Sequence, residues 1–179
     1  MKIFIAGPRV ISRLSKAVED RLRGICEHNY TVLVGDAGGV DKAVQIFFSG
    51  CGYPNVIVYA SNGKVRNNLG NWQVEAVPVP PDITGFEFYA AKDRAMADDA
   101  DYGFMVWNGE SKGTLNNIIN LLNGCKEVLV FFTPKNSLIR IKSVATLEAL
   151  LLDCNDNTRN LYAKLYRSQT ATQMQLSLF

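Results

Sequence analysis

Two short stretches of this chain carry residue types suited to holding a phosphate-bearing ligand. The first is Val34–Lys42, V-G-D-A-G-G-V-D-K, a glycine loop with two carboxylates set between an apolar run and a helical pattern. Gly35, Gly38 and Gly39 permit a tight turn with φ > 0 and close approach of the backbone, and the helix that follows aims free N–H groups at an anion. Asp36 and Asp41 repel phosphate, so their expected role is to accept hydrogen bonds from a ribose, a base or a neighbouring backbone. The second stretch runs from Asn108 to Thr114, N-G-E-S-K-G-T, in which Gly109, Ser111, Lys112, Gly113 and Thr114 join a cation and two hydroxyls to a helix start. Backbone donors, helix dipole and Lys112 would hold a phosphate together, although Ser111 and Thr114 also suit N-capping. Arg9, after Gly7-Pro8, supplies a second fixed cation.

A third group lies upstream of the second stretch. Tyr89, Asp93 and Met96–Ala97 fall on roughly one face of a helical pattern. A carboxylate on a face turned towards a sheet contacts a ligand or accepts from structural N–H groups. Asp98, Asp99 and Asp101 read as a solvated helix end.

The elements that must position these residues alternate. Near-continuous apolar runs at Ile3–Ala6, Thr31–Val34, Val56–Tyr59, Tyr102–Trp107 and Val128–Phe132 read as strands covered on both faces. Helical patterns cover Ser15–Cys26, Asp41–Phe48, Phe86–Asp99 and Thr114–Leu122. The order predicts an α/β, doubly wound, mostly parallel sheet of about five strands in three layers, with the ligand site at the carboxyl ends of the strands. The loops after the first, second and fourth strands converge there. Ser61–Thr84, with Arg66, Asn67, Asn68, Gly70, Trp72 and a proline cluster, lacks periodicity and reads either as a lid or as a surface excursion packed down by Trp72. Residues 1–134 form the expected nucleotide-binding unit and residues 135–179 a short helical appendage, at Ser143–Cys154 and Thr158–Arg167, with a polar leader at Ser168–Met174.

Composition narrows the function classes. An apolar share of 47% over 179 residues supports a sizeable core. A formal net charge of +2 makes no electrostatic case for nucleic acid. Cys26, Cys51, Cys125 and Cys154 are widely spaced, and His28 is the one histidine, so no disulfide framework, metal site or cofactor is expected, and the cysteines read as small buried hydrophobes. With no signal-like or membrane-length apolar segment, a cytoplasmic protein is expected.

The motifs I-A-G-P-R at Ile5–Arg9, G-D-A-G-G-V-D-K-A at Gly35–Ala43, K-D-R-A-M-A-D-D-A-D at Lys92–Asp101 and S-K-G-T-L-N-N at Ser111–Asn117 resemble the SLOG superfamily. That Rossmann-like group includes cytokinin-activating phosphoribohydrolases, the nucleotide-binding domain of DNA-processing protein A and, more distantly, nucleoside deoxyribosyltransferases. The glycine/aspartate loop is similar to that of the DNA-processing proteins, and A-D-Y-G-F-M-V-W followed by G-T resembles the pattern of the deoxyribosyltransferases and the cytokinin-activating phosphoribohydrolases. The resemblance implies a nucleotide or nucleotide-derived ligand. Members that cleave an N-glycosidic bond carry a glutamate three residues after the G-T pair, and here Asn117 stands at that position, with Asn108-Gly109-Glu110 where P-G-G would precede. An amide neither attacks nor stabilises a sugar cation as a carboxylate does.

The expected function is therefore nucleotide binding without turnover. One alternative is an N-glycosidase in which Asp93 or Glu110 replaces the missing carboxylate. Another is a DNA-binding adaptor using Arg66, Trp72 and the basic residues Lys135, Arg140, Lys142, Arg159, Lys164 and Arg167. Separately, Gln175-Leu176-Ser177-Leu178-Phe179 resembles the bacterial sliding-clamp binding peptide, in which Leu178 and Phe179 would fill an apolar pocket while Gln175 bonds its rim. The clamp and a second copy of this chain are the expected partners, with no membrane partner.

Overall fold

Strand β1 (Lys2–Ala6) shows why the chain builds three layers. Ile3 and Ile5 face one way, Phe4 and Ala6 the other, and all four are buried. Strands β2 (Thr31–Gly35), β3 (Val56–Ser61), β5 (Tyr102–Trp107) and β6 (Val128–Phe132) are buried on both faces in the same way. A computed structural model describes residues 1–176, with side chains through residue 167. It has a seven-stranded sheet in the order β4-β3-β2-β1-β5-β6-β7, parallel except where β7 (Ser137–Ile141) runs antiparallel to β6.

One face is covered by α1 (Lys16–Glu27) and α2 (Val40–Gly50), which bury Val18, Leu22, Ile25, Val44 and Phe48 against Ile3, Ile5 and Val34. The other is covered by α3 (Gly85–Asp99), α4 (Lys112–Asn123), α5 (Val144–Leu151) and α6 (Asp156–Leu176), around Trp107, Leu115, Ile118 and Leu147. Among the described residues no helix is long and apolar enough to cross a membrane, and no His/Cys/Asp/Glu group could hold a metal ion.

The doubly wound class holds, but the strands number seven rather than about five. Strand β4 (Gln73–Val77) lies at the parallel edge inside the segment read as irregular, and four of its five residues are exposed, so it lacks the apolar run that marks a covered strand. β7 lies beyond residue 134, where the expected nucleotide-binding unit ended, in the stretch expected to be helical. A single 3-10 turn there, closed by Asn136 in the left-handed region at φ 46°, instead reverses the chain onto β6.

Three further readings are corrected. Ser168–Met174, read as a leader, continues α6, which runs to Leu176. Of the four cysteines only Cys154 is buried, and Cys51 and Cys125 are exposed. Asp98 and Asp101 are exposed, as read, whereas Asp99 is half-buried and tied: the Tyr59 hydroxyl donates to Asp99 at 2.6 Å and Lys2 Nζ donates to the same carboxylate at 2.5 Å, while the Lys2 backbone N–H donates to Asp101 at 2.7 Å.

Candidate functional site

The chain runs outward from β1 through β2 and β3 to β4, then returns to the other side of β1 with β5. The loops leaving β1 and β5 consequently part in opposite directions and open a crevice at the carboxyl ends of the strands. A cavity of about 590 Å³ occupies it, within the range that holds a nucleotide-sized ligand. Helix α3 lines one wall with Phe86, Tyr89, Ala90 and Asp93, spaced so that they share a face. Helix α4 brings Lys112, Gly113, Thr114 and Asn117, and loop β1–α1 brings Gly7, Pro8 and Arg9.

Three cations rest on aromatic rings at the rim. The Arg9 guanidinium lies 5.0 Å from the Tyr89 ring centroid, that of Arg66 4.8 Å from the same ring, and Lys112 Nζ 3.8 Å from the Phe86 centroid. Arg66 is also clamped by Asp36, whose carboxylate accepts from its Nε at 2.9 Å, its Nη2 at 2.6 Å and its backbone N–H at 3.1 Å. Burial works against ionisation of Asp36, but these bonds and the Arg66 charge hold its carboxyl below the usual range. Arg9 and Lys112 have no carboxylate partner among the described residues.

Beneath the rim lies a buried charge cluster. Lys92 is 4% exposed and donates from Nζ to Asp93 Oδ1 at 2.6 Å. Asp41, 6% exposed, accepts from the Ala37 N–H at 3.3 Å. Burial pushes Asp41 up to about 6 against the pull of Lys92. Burial alone would lower the Lys92 ammonium, and the Asp93, Asp41 and Asp36 carboxylates more than offset it, leaving it raised and charged.

The glycines serve this packing. A Cβ on Gly35 would stand 2.3 Å from Asp41 Oδ2 and 2.6 Å from Lys92 Nζ, so the bare Cα makes room for the ionised groups. Gly39, at φ 71°, lets the Arg9 backbone pass where a Cβ would come within 2.4 Å of its Cα. Gly38 meets nothing within 4 Å.

In the second stretch, Ser111 caps α4, accepting from the Thr114 N–H at 3.3 Å and its hydroxyl at 3.0 Å, and Asn108 Oδ1 accepts from the Glu110 and Ser111 N–H groups. The first turn of α6 and the residue before it brace this loop from outside: the Thr158 hydroxyl donates to the Gly109 carbonyl at 2.7 Å, and Asn155 Nδ2 donates to Glu110 at 3.3 Å. Asn117 is 3% exposed, and its Oδ1 has no hydrogen-bond partner.

Among solved structures, DNA processing protein A from Helicobacter pylori, described for its single-stranded DNA binding mode, is similar to this chain at a TM-score of 0.57 and 16% identity, over 94% of this chain and 81% of that one. The likeness is one of fold. No protein-family model and no curated protein matches the sequence.

Of the residues singled out from the sequence, the structure brings Gly7, Pro8, Arg9, Asp41, Tyr89, Asp93, Glu110, Ser111, Lys112, Gly113 and Thr114 to the cavity. Gly35, Asp36, Gly38, Gly39 and Gly109 do not line it; Gly35 and Gly39 pack beneath or beside it, Asp36 holds Arg66, and Gly109 anchors α6. Gln175 and Leu176 end α6, and the tail Ser177–Phe179 lies outside the described residues. Lys92, Arg66 and Phe86 line the cavity without having been assigned a place in it from sequence. One signal for Lys92 was present: it shares the i, i+4 buried face of Met96. Nothing local marks Arg66, since its partner Asp36 is thirty positions away.

Proposed function

We propose that this protein binds a nucleotide or nucleotide derivative in the crevice between β1 and β5 and does not cleave it. The observation that carries this reading is the pair of cations, Arg9 and Lys112, held on aromatic rings at the cavity that the α4 N-terminus lines, with no carboxylate among the described residues paired to either. A phosphate there receives both charges and the free N–H groups of the helix. Turnover has weaker support. Asn117 stands where a cleaving carboxylate would, Asp93 is engaged by Lys92, and Glu110 is exposed and bonded to Asn155. Isothermal titration against a nucleotide panel tests the reading. Binding that Arg9→Ala with Lys112→Ala weakens by ~10-fold or more supports it, and no binding by the wild type removes it.

A second reading, N-glycosidic bond cleavage, is favoured by one observation: Asp41, raised to about 6 and lining the cavity, has the proton affinity of a general acid. Chromatographic detection of free base from any common nucleotide at high protein concentration would establish it over binding alone. Support for the DNA-adaptor reading in the appendage is divided: Lys135 pairs with Asp153, Arg140 and Lys142 with Glu127, and Arg159 with Asp156, in exposed bridges that contribute little, whereas Lys164 and Arg167 are exposed without an ion pair among the described residues. The sequence Gln175–Phe179 supports a separate proposal, that the protein is tethered to the bacterial sliding clamp by its last five residues.

A further inference from the structure

We propose that Cys26 and Cys51 form a reversible, oxidant-driven disulfide that staples the ends of α1 and α2 together, on the face of the sheet opposite α3 and α4. The topology brings the two cysteines to one place. β1, β2 and β3 are parallel neighbours, so α1 and α2, the crossovers between them, run in the same direction and both end at the amino edge of the strands. Cys26 stands in the last turn of α1, and Cys51 caps the C-terminus of α2.

Contacts one turn earlier fix which sides of the helices meet. The Arg23 guanidinium lies 5.8 Å from the Phe47 ring centroid, which turns that side of α1 towards that side of α2. Cys26 stands at i+3 from Arg23 and Cys51 at i+4 from Phe47, so each cysteine continues the side already in contact. Cys26 and Phe47 pack against one buried cluster, which includes Ile25, Phe48 and Tyr53. Just past Cys51 the chain is pinned to the end of α1: the Tyr53 hydroxyl donates to the Tyr30 carbonyl at 2.6 Å, with the Ile25 carbonyl 3.5 Å away. Burial raises the Cys26 thiol, and the charge of a Cys51 thiolate close by adds to it.

The two thiols divide the work. Cys51 is exposed and meets an oxidant from solvent, whereas Cys26 is half-buried. With hydrogen peroxide, the Cys51 thiolate attacks one peroxide oxygen, the O–O bond breaks, and the departing hydroxide takes up a proton to leave as water. The Cys26 sulfur then attacks the Cys51 sulfenic acid, losing its own proton as the S–S bond forms and the S–O bond breaks, and a second water leaves. Two thiols lose two electrons and one peroxide gains them. Cys125 follows α4 and Cys154 follows α5, both on the other face, and Cys154 is buried. The new bond closes residues 26–51 into a ring that holds β2, the glycine loop and α2, which restricts the unfolded chain.

Peptide mapping of the full chain tests the proposal. Trypsin cuts after Arg23, Lys42 and Lys64, which puts Cys26 and Cys51 on separate peptides, 24–42 and 43–64. After treatment with hydrogen peroxide and blocking of free thiols, these are expected as one cross-linked species, lighter by two hydrogens than their sum and separated by dithiothreitol. The oxidised chain should melt ~5 °C or more above the reduced one. Cys51→Ser, at an exposed position, should lose both the cross-link and the shift, and Cys125→Ser should keep both. An oxidised Cys51 beside a free Cys26, a disulfide joining two chains, or two unmodified thiols overturns the proposal. If Cys51→Ser fails to fold by circular dichroism, the wild-type map alone still decides.

Discussion

Asp41 ties the charge of the cavity to pH. Its folded-state value of about 6 lies above that of an unfolded aspartate, so the folded chain takes up a proton between the two. The stability this group contributes is therefore fully present below the unfolded value and is lost as pH rises through about 6. Urea titrations from pH 4.5 to 7.5 should show a falling contribution in the wild type that is absent in Asp41→Asn, a difference of ~1–3 kcal/mol across the range. Lys92, Asp93 and Asp36 surround Asp41, and neither the raised Lys92 nor the lowered Asp36 changes charge in that window. The same proton removes a negative charge from the cavity, so the affinity of the wild type for an anionic nucleotide, taken relative to that of Asp41→Asn at the same pH, should fall between pH 5.5 and 7.5 in calorimetry, a comparison in which the titration of the ligand's own phosphate cancels. The glycines of the same loop divide sharply. Gly39→Ala forces a Cβ into the Arg9 backbone at positive φ and should cost ~2 kcal/mol or more with a loss of nucleotide affinity, whereas Gly38→Ala, facing open space, should stay within ~0.5 kcal/mol of wild type in thermal melts.

At the scale of elements, the segment between β3 and α3 is held down at several points. Asp36 grips Arg66, Asn67 Nδ2 donates to the Asp36 carbonyl at 2.7 Å, and Gln45 on α2 donates to the Asn67 carbonyl and accepts from the Leu69 N–H. Trp72 Nε1 donates to the Tyr53 carbonyl at 2.8 Å. Of the two roles read for this stretch, the packed excursion describes its geometry, with Arg66 as the part that reaches the cavity. Arg66→Ala leaves Asp36, 2% exposed, without its hydrogen-bonded cation, with only the Lys92 charge to offset its burial, and should cost ~3 kcal/mol in urea unfolding. Limited proteolysis should then cut first between Ser61 and Trp72. Cleavage unchanged from wild type would show that Gln45 and Trp72 alone hold the segment. The sequence did not reveal the Asp36–Arg66 contact because it joins residues thirty positions apart, and neither carries a local signal for the other.

For the whole molecule, the clamp proposal makes a prediction independent of the crevice. Wild-type protein should retain the bacterial sliding clamp in a pull-down, and a chain ending at Met174 should lose it while binding nucleotide as before; equal retention by both removes the tether. Continuation of α6 to Leu176 places the first two residues of that peptide at a helix end. The sequence by itself determined the sheet of covered strands, its winding and the loops that meet at its carboxyl edge, because residues buried on both faces must be apolar along their whole length and glycine and proline mark where the chain turns. It could not reveal β4 and β7, whose exposed or antiparallel edge positions relax that demand. Nor could it assign roles within the glycine loop, where only tertiary structure decided that Gly35 makes room for Asp41 and Lys92, that Asp36 serves Arg66 rather than the cavity, and that Asn117 keeps an unpaired acceptor. The physical reason is one of range: apolar periodicity is a local consequence of burial, whereas a polar side chain's role is set by partners that folding brings from distant parts of the chain.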